Sequence, residues 1–133
     1  MIYRKAYKVT GDDVNDFMVM QRFAYLSYTS RAFENFLFSK GLSKQKMQRL
    51  QLGLQGVKEE IIYQKNLMFT QSFFVNLECF APTSDTKKLA IKSRFFNIEN
   101  QLCAIVHTDL YWYHHSKQAI IQPPKKIAKN FLC

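Results

Sequence analysis

The sequence predicts an α+β domain in which one long central helix is wrapped by a curved antiparallel sheet of about five strands. Three observations lead there. One long helical pattern is present, in NDFMVMQRFAYLSYTSRAFENFLFSKGLS from Asn15 to Ser43; nearly everything after residue 53 alternates with period two; and the order is strand, helix, then strands without a second long helix. Within the helix Tyr25, Tyr28, Ala32 and Phe36 follow at steps of three and four, and Leu26, Phe33 and Leu37 form a second apolar row beside them. The polar strip of Ser27, Ser30, Arg31, Glu34 and Asn35 is too narrow for a helix on an open surface, so the sheet must embrace it.

The elements follow in order. Residues 2 to 10, IYRKAYKVT, read as the first strand and Gly11-Asp12-Asp13 as its turn. A loop from 12 to 20 leads to the helix, from about Gln21 to Lys40, which Gly41 stops. Ser43 then caps a short second helix in KQKMQRLQL. In VKEEIIYQK, Val57, Glu59, Ile61 and Tyr63 share one face and Lys58, Glu60, Ile62 and Gln64 the other. SFFVNLECFA is the next strand and ends at the turn Pro82-Thr83-Ser84-Asp85. KKLAIKSRFF turns Leu89, Ile91, Ser93 and Phe95 one way, with Lys88, Lys92 and Arg94 opposite, and the link Asn97 to Asn100 leads to LCAIVHTDLYWYH. There Leu102, Ala104, Val106, Thr108, Leu110 and Trp112 give the cleanest apolar face, and Pro123-Pro124 ends the sheet before a basic tail, 123–133.

With 133 residues the chain forms one domain, 1–133, which buries roughly two-thirds of its unfolded surface. Aromatic residues make up 15% of it, more flat apolar area than one small core needs, which points to burial between subunits. No apolar run approaches the roughly 20 residues of a membrane span and no signal peptide is visible, so a cytoplasmic location is expected. Cys79, Cys103 and Cys133 are widely spaced and odd in number, and His107, His114 and His115 have no ligand partner at metal spacing, so neither a disulfide framework nor a metal or other cofactor is expected.

The net charge of +9 points to an anionic partner or simply to a solvated basic surface. Basic residues concentrate at Lys44, Lys46 and Arg49, at Lys87, Lys88, Lys92 and Arg94, and along the tail. An RNA-recognition module would need a second long helix and a glycine-bearing aromatic motif that KSRFFNI lacks, so nucleic acid is the weaker partner class.

In YLSYTSRAFENFLFSKGLS the pair Tyr25-Leu26 opens the helix and Gly41-Leu42 closes it. With the preceding strand and loop, this resembles the hotdog-fold thioesterases of the 4-hydroxybenzoyl-CoA thioesterase type, from about residue 3 to residue 122. The resemblance implies hydrolysis of an acyl thioester of coenzyme A or acyl carrier protein by a homodimer or homotetramer joined edge to edge. The alternative is a non-catalytic hotdog protein that binds acyl thioesters or a carrier protein. In the resemblance the family's catalytic Asp aligns with Asn15, its loop glycine with Met18, and the His or Asn before the helix with Gln21 and Arg22. A dehydratase relative would carry a His in or before the helix, and none lies upstream of residue 107.

The same resemblance implies that the backbone amide of Arg22, or its neighbour, holds the developing oxyanion. A loop Asn with a helix Arg, here Asn15 and Arg31, is similar to the enediyne polyketide thioesterase subgroup, in which hydrolysis proceeds without the usual carboxylate. The residues themselves leave Asn15 open to an Asx turn and Arg31 to the wet strip of the helix. Asp13, Asp16 and Glu60 are further acid candidates, Glu59 and Glu60 sharing a strand on which one must point inward or pair with Lys58 or Arg94. Tyr25, Lys88 and Lys92 are the candidate substrate-binding residues.

Overall fold

The computed structural model describes residues 2–80 and 87–123. The turn expected at Pro82 to Asp85, Cys133 and the tail beyond Pro123 lie outside them. Strand β1 (Ile2–Lys8) leads through a short 3-10 turn to helix α1 (Arg22–Ser39) and helix α2 (Lys44–Arg49). The strands β2 (Leu52–Tyr63), β3 (Ser72–Phe80), β4 (Lys88–Asn97), β5 (Leu102–His114) and β6 (Ala119–Ile121) follow. All pairings are antiparallel, in the order β1-β3-β4-β5-β2, and β6 adds a short ribbon beside the end of β5. This is the hotdog arrangement, one long helix lying in a curved sheet.

Helix α1 has both expected apolar rows inside: Tyr25, Tyr28, Ala32 and Phe36 are buried, as are Phe33 and Leu37. They meet the concave face of the sheet, where Phe73, Phe95, Val106 and Trp112 are almost inaccessible to water. Tyr25 packs edge-on against Phe95 at 5.0 Å between ring centres, and Phe95 stacks on Phe73 at 5.8 Å. Each such aromatic pair adds about 0.5–1.5 kcal/mol to what area burial alone gives. Cys79 and Cys103 are buried inside this same core.

The ends of α1 are fixed by different means. Gly41 takes a left-handed φ of 85°, and Leu42 N–H returns to Leu37 O at 2.9 Å, so the chain leaves the helix with its last carbonyls satisfied. Ser43 then caps α2, its hydroxyl accepting from Lys46 N–H at 3.1 Å. At the other end Met20 N–H donates to Leu67 O at 2.8 Å and Gln21 N–H to Asp13 O at 2.9 Å. The helix therefore starts at a point pinned from two directions.

One strand departs from its expected pattern. A bulge between Gly56 and Lys58 removes Val57 from the ladder, so Val57 is exposed instead of sharing the inner face. Beyond the bulge Glu59 lies opposite Thr108, Ile61 opposite Val106 and Tyr63 opposite Ala104, all on the concave side, while Lys58 and Glu60 face outward. Among the described residues strand β2 has only β5 beside it, which leaves its other edge unpaired there.

Candidate functional site

The loop before α1 folds back on itself as a miniature hairpin. Val14 bridges Met20, Asn15 N–H donates to Val19 O at 3.1 Å, and Met18 N–H donates to Asn15 O at 2.9 Å. Asn15 organises it: its Oδ1 accepts from Phe17 N–H at 2.9 Å and Val19 N–H at 3.1 Å. The Asx turn and the functional reading thus concern different atoms, because Nδ2 of this exposed side chain has no acceptor among the described residues. Met18 stands where the resemblance places a glycine, and its φ is 64°. The loop keeps a glycine-type backbone with a side chain on it, at a cost of about 1–2 kcal/mol.

Asp13 is committed to structure. Its Oδ2 accepts from Thr10 N–H at 2.9 Å and Thr10 Oγ1 at 3.0 Å, and the Tyr28 hydroxyl lies 2.5 Å from it. The same hydroxyl is 3.1 Å from Lys8 O, but its single proton serves one acceptor, and the carboxylate is the stronger. Burial first, and then the Asp13 carboxylate, push the Tyr28 phenol up to about 12. Arg31 stands over this group, 4.9 Å from the Tyr28 ring centre and 5.2 Å from that of Tyr7, and no hydrogen bond joins it to Asn15 among the described residues. Nine residues into the helix, it is about 13 Å along the axis from the first helical amide. Asp13 and Arg31 belong to a clamp between loop, β1 and helix.

The strand and helix faces place the other candidate residues as follows. Tyr25 is not a surface for substrate: it is 1% exposed, its ring lies against Phe95 and Tyr63, its hydroxyl meets the Leu67 backbone, and burial raises its phenol to about 12. Lys88 and Lys92 project from the convex side of the sheet, since Leu89 and Ile91 between them point to the core. Lys88 there pairs with Asp109 at 3.0 Å. Glu60 is on the same convex side, beside Lys58, His107 and Asp109, so the sheet separates it from the helix. Asp16 is an exposed residue at the loop tip.

The start of α1 carries the most distinctive chemistry. Gln21 is the N-cap but its side chain does not cap; its Nε2 instead donates to Val19 O at 2.9 Å. Ala24 and Tyr25 N–H turn to Gln21 O, which leaves Arg22 and Phe23 N–H without acceptors among the described residues. Two bare amides and the positive end of the helix dipole therefore stand at the end of the loop that Asn15 organises. Phe17 in the preceding loop and Phe23 in the first turn are exposed apolar side chains, at 80% and 57%. The Arg22 amide is the position that the family resemblance implies for the oxyanion.

The cavity was not visible in the sequence. It is a space of about 320 Å³ between α1 and the β2–β5 side of the sheet, with Leu26, Phe33 and Leu37 on the helix wall and Leu54, Ile91 and Leu110 on the sheet wall. The bulge after Gly56 is what puts Glu59 in its lining.

This fold and site define the class. The chain belongs to the thioesterase-like superfamily, whose family model matches residues 9–131. No curated protein sequence matches it. Among solved structures it is similar to a Staphylococcus aureus protein determined in complex with CoA, at 18% identity, with TM-score 0.88 over 98% of this chain and 81% of that one. It is also similar to the 1,4-dihydroxy-2-naphthoyl-CoA thioesterase of Synechocystis, at 17% identity, with TM-score 0.88 over 98% and 96% of the two chains. An Aquifex aeolicus protein matches at 21% identity and TM-score 0.86, over 98% of each chain.

The loop and the clamp each give a test. Met18→Gly is expected to leave the melting temperature equal or higher, whereas Met18→Val, a branched side chain at positive φ, lowers it. For the clamp, a phenol whose pKa is raised by folding contributes stability that is complete below its unfolded value of 10.0 and is lost as pH climbs through about 12. Denaturant midpoints should fall across that window, and fall less steeply in Tyr28→Phe.

Proposed function

We propose that this protein hydrolyses acyl thioesters of coenzyme A or acyl carrier protein, as a homodimer or homotetramer with its sites at the subunit boundary. The observation that carries the reading is the uncapped start of α1, where Arg22 and Phe23 N–H have no acceptor among the described residues. A thioester carbonyl seated there meets donors already oriented by a helix that cannot turn away. As water attacks, negative charge collects on the carbonyl oxygen, and these amides hold it until the carbon–sulfur bond breaks and the thiolate leaves, the water's proton passing through solvent to the departing sulfur. One such donor accounts for roughly a hundredfold to a thousandfold in turnover.

Asn15 contributes through Nδ2, which donates to the carbonyl or to the attacking water while Oδ1 keeps the loop folded. An amide takes no proton from water, so Asn15 orients and does not act as a base. The Asn15 and Arg31 pair of the enediyne subgroup contributes less to this reading than the bare amides, since Arg31 stands over Tyr28 and Tyr7. The anionic carrier is supported by the net charge of +9. Assembly is supported by the open edge of the 12-residue β2 and by exposed Val57, Ile62 and Tyr63 on that strand.

Asn at position 15 also favours a second reading, in which the protein binds acyl thioesters without cleaving them. Thiol release from a panel of acyl-coenzyme A and acyl-carrier substrates separates the two: release supports hydrolysis, and saturable binding with no release supports the second. Asn15→Asp retains both acceptor bonds and is expected to keep the fold and raise turnover, while Asn15→Ala lowers turnover and costs roughly 1–2 kcal/mol of stability. Sedimentation at micromolar concentration should show a dimer or larger; a monomer of 15.7 kDa would contradict the assembly.

A further inference from the structure

The cavity beside α1 has apolar side chains on both walls, and five polar side chains, Thr29, Ser30, Glu34, Glu59 and Thr108, also line it. Glu59 and Thr108 are cross-strand neighbours on the concave face, and Thr29 faces them from the helix. Glu59 Oε1 lies 3.9 Å from the place a Cβ on Gly56 would take, and Glu59 is an exposed residue that lines the cavity. It has no ion pair or hydrogen bond among the described residues. Glu34, the other carboxylate at the cavity, is paired with Lys44 at 3.4 Å. Thr29 is 5% exposed and its hydroxyl has no partner, an arrangement that costs about 1–3 kcal/mol unless something fills the need. Thr29 lines the cavity, and a rotation about χ1 would be needed to present this hydroxyl to a ligand there.

Position along the helix fixes what this polar group would meet. The cavity wall begins at Leu26, one turn beyond the bare amides, and Thr29 is seven residues from Arg22, about 10 Å along the axis. A volume of 320 Å³ is at the lower end of the range for small-ligand sites, roughly 300–1,000 Å³. We propose that this cavity takes the acyl group of the thioester and that Glu59, with Thr29, selects acyl groups bearing a hydrogen-bond donor, a hydroxyl or an ammonium, far from the thioester carbon. The inference rests on the thioester reading given above. A plain alkyl chain in the same place would strip water from the Glu59 carboxylate and offer it nothing, and sites built for a donor reject ligands that lack it.

The test compares decanoyl-coenzyme A with its β-hydroxy, ω-hydroxy and ω-amino counterparts, each by thiol release and by calorimetric binding to the intact protein. The ω-substituted thioesters should be preferred over decanoyl and β-hydroxydecanoyl by roughly tenfold to a hundredfold, in kcat/KM and in Kd. Glu59→Leu should abolish that preference and improve decanoyl binding, with unchanged melting temperature. Glu59→Gln, which still accepts a hydrogen bond, should retain selection for the hydroxyl and lose it for the ammonium. Equal affinities in the wild type, or a preference that survives Glu59→Leu, would overturn the proposal. Absence of thiol release would overturn the hydrolytic reading alone, because calorimetry reads the selectivity without turnover.

Discussion

The interaction on which the rest depends is the burial of α1 in the concave face of the sheet. An isolated helix of 18 residues is only marginally stable in water, and this one opens with no side-chain cap. Tyr25, Tyr28, Phe33 and Phe36 hold it by packing, and the hydrogen bonds at Met20 and Gln21 hold its first turn by backbone. Because packing supplies the stability, the first turn is free to leave two amides unsatisfied. A protein that needed those bonds for its helix would have a capping Ser or Asp there, and the site would be filled.

The sheet divides the chemistry of the molecule by its pleat. Lys58, Glu60, Lys88, Lys92, Arg94 and His107 lie on the convex side, where Arg94 pairs with Glu78 at 3.0 Å and Lys88 with Asp109. Such half-exposed pairs contribute about 0–1 kcal/mol each. The concave side meets the helix and carries the cavity, and Glu59 reaches it because one bulged residue, Val57, restores the register beyond Gly56. A single step of register separates a carboxylate that lines the cavity from one on the convex side.

Much of this was legible in residue order. The helix limits, the Gly41 stop, the Ser43 cap and the inward faces of β4 and β5 follow from spacing, since local periodicity and turn chemistry decide them. The faces that Tyr25, Lys88 and Lys92 occupy were not legible for a common reason: a residue type compatible with binding says nothing about which face it takes once strands curve around a helix. Asp13 looked like a free loop acid because its partner, Tyr28, lies 15 residues away and meets it only after α1 packs. The cavity could not be read at all, because its walls come from α1, β2, β4 and β5, which the fold alone brings together.

The most direct test of the account replaces one atom. Arg22 is the first helical residue and Gln21 before it already has the extended conformation a following proline requires, at φ −96° and ψ 162°. Arg22→Pro therefore keeps the helix while deleting the N–H that would hold the oxyanion. Turnover of the best thioester by Arg22→Pro should be lower than that of Arg22→Ala by roughly a hundredfold or more, at unchanged melting temperature. Equal turnover by the two folded variants would contradict the claim that the bare start of α1 is the catalytic element.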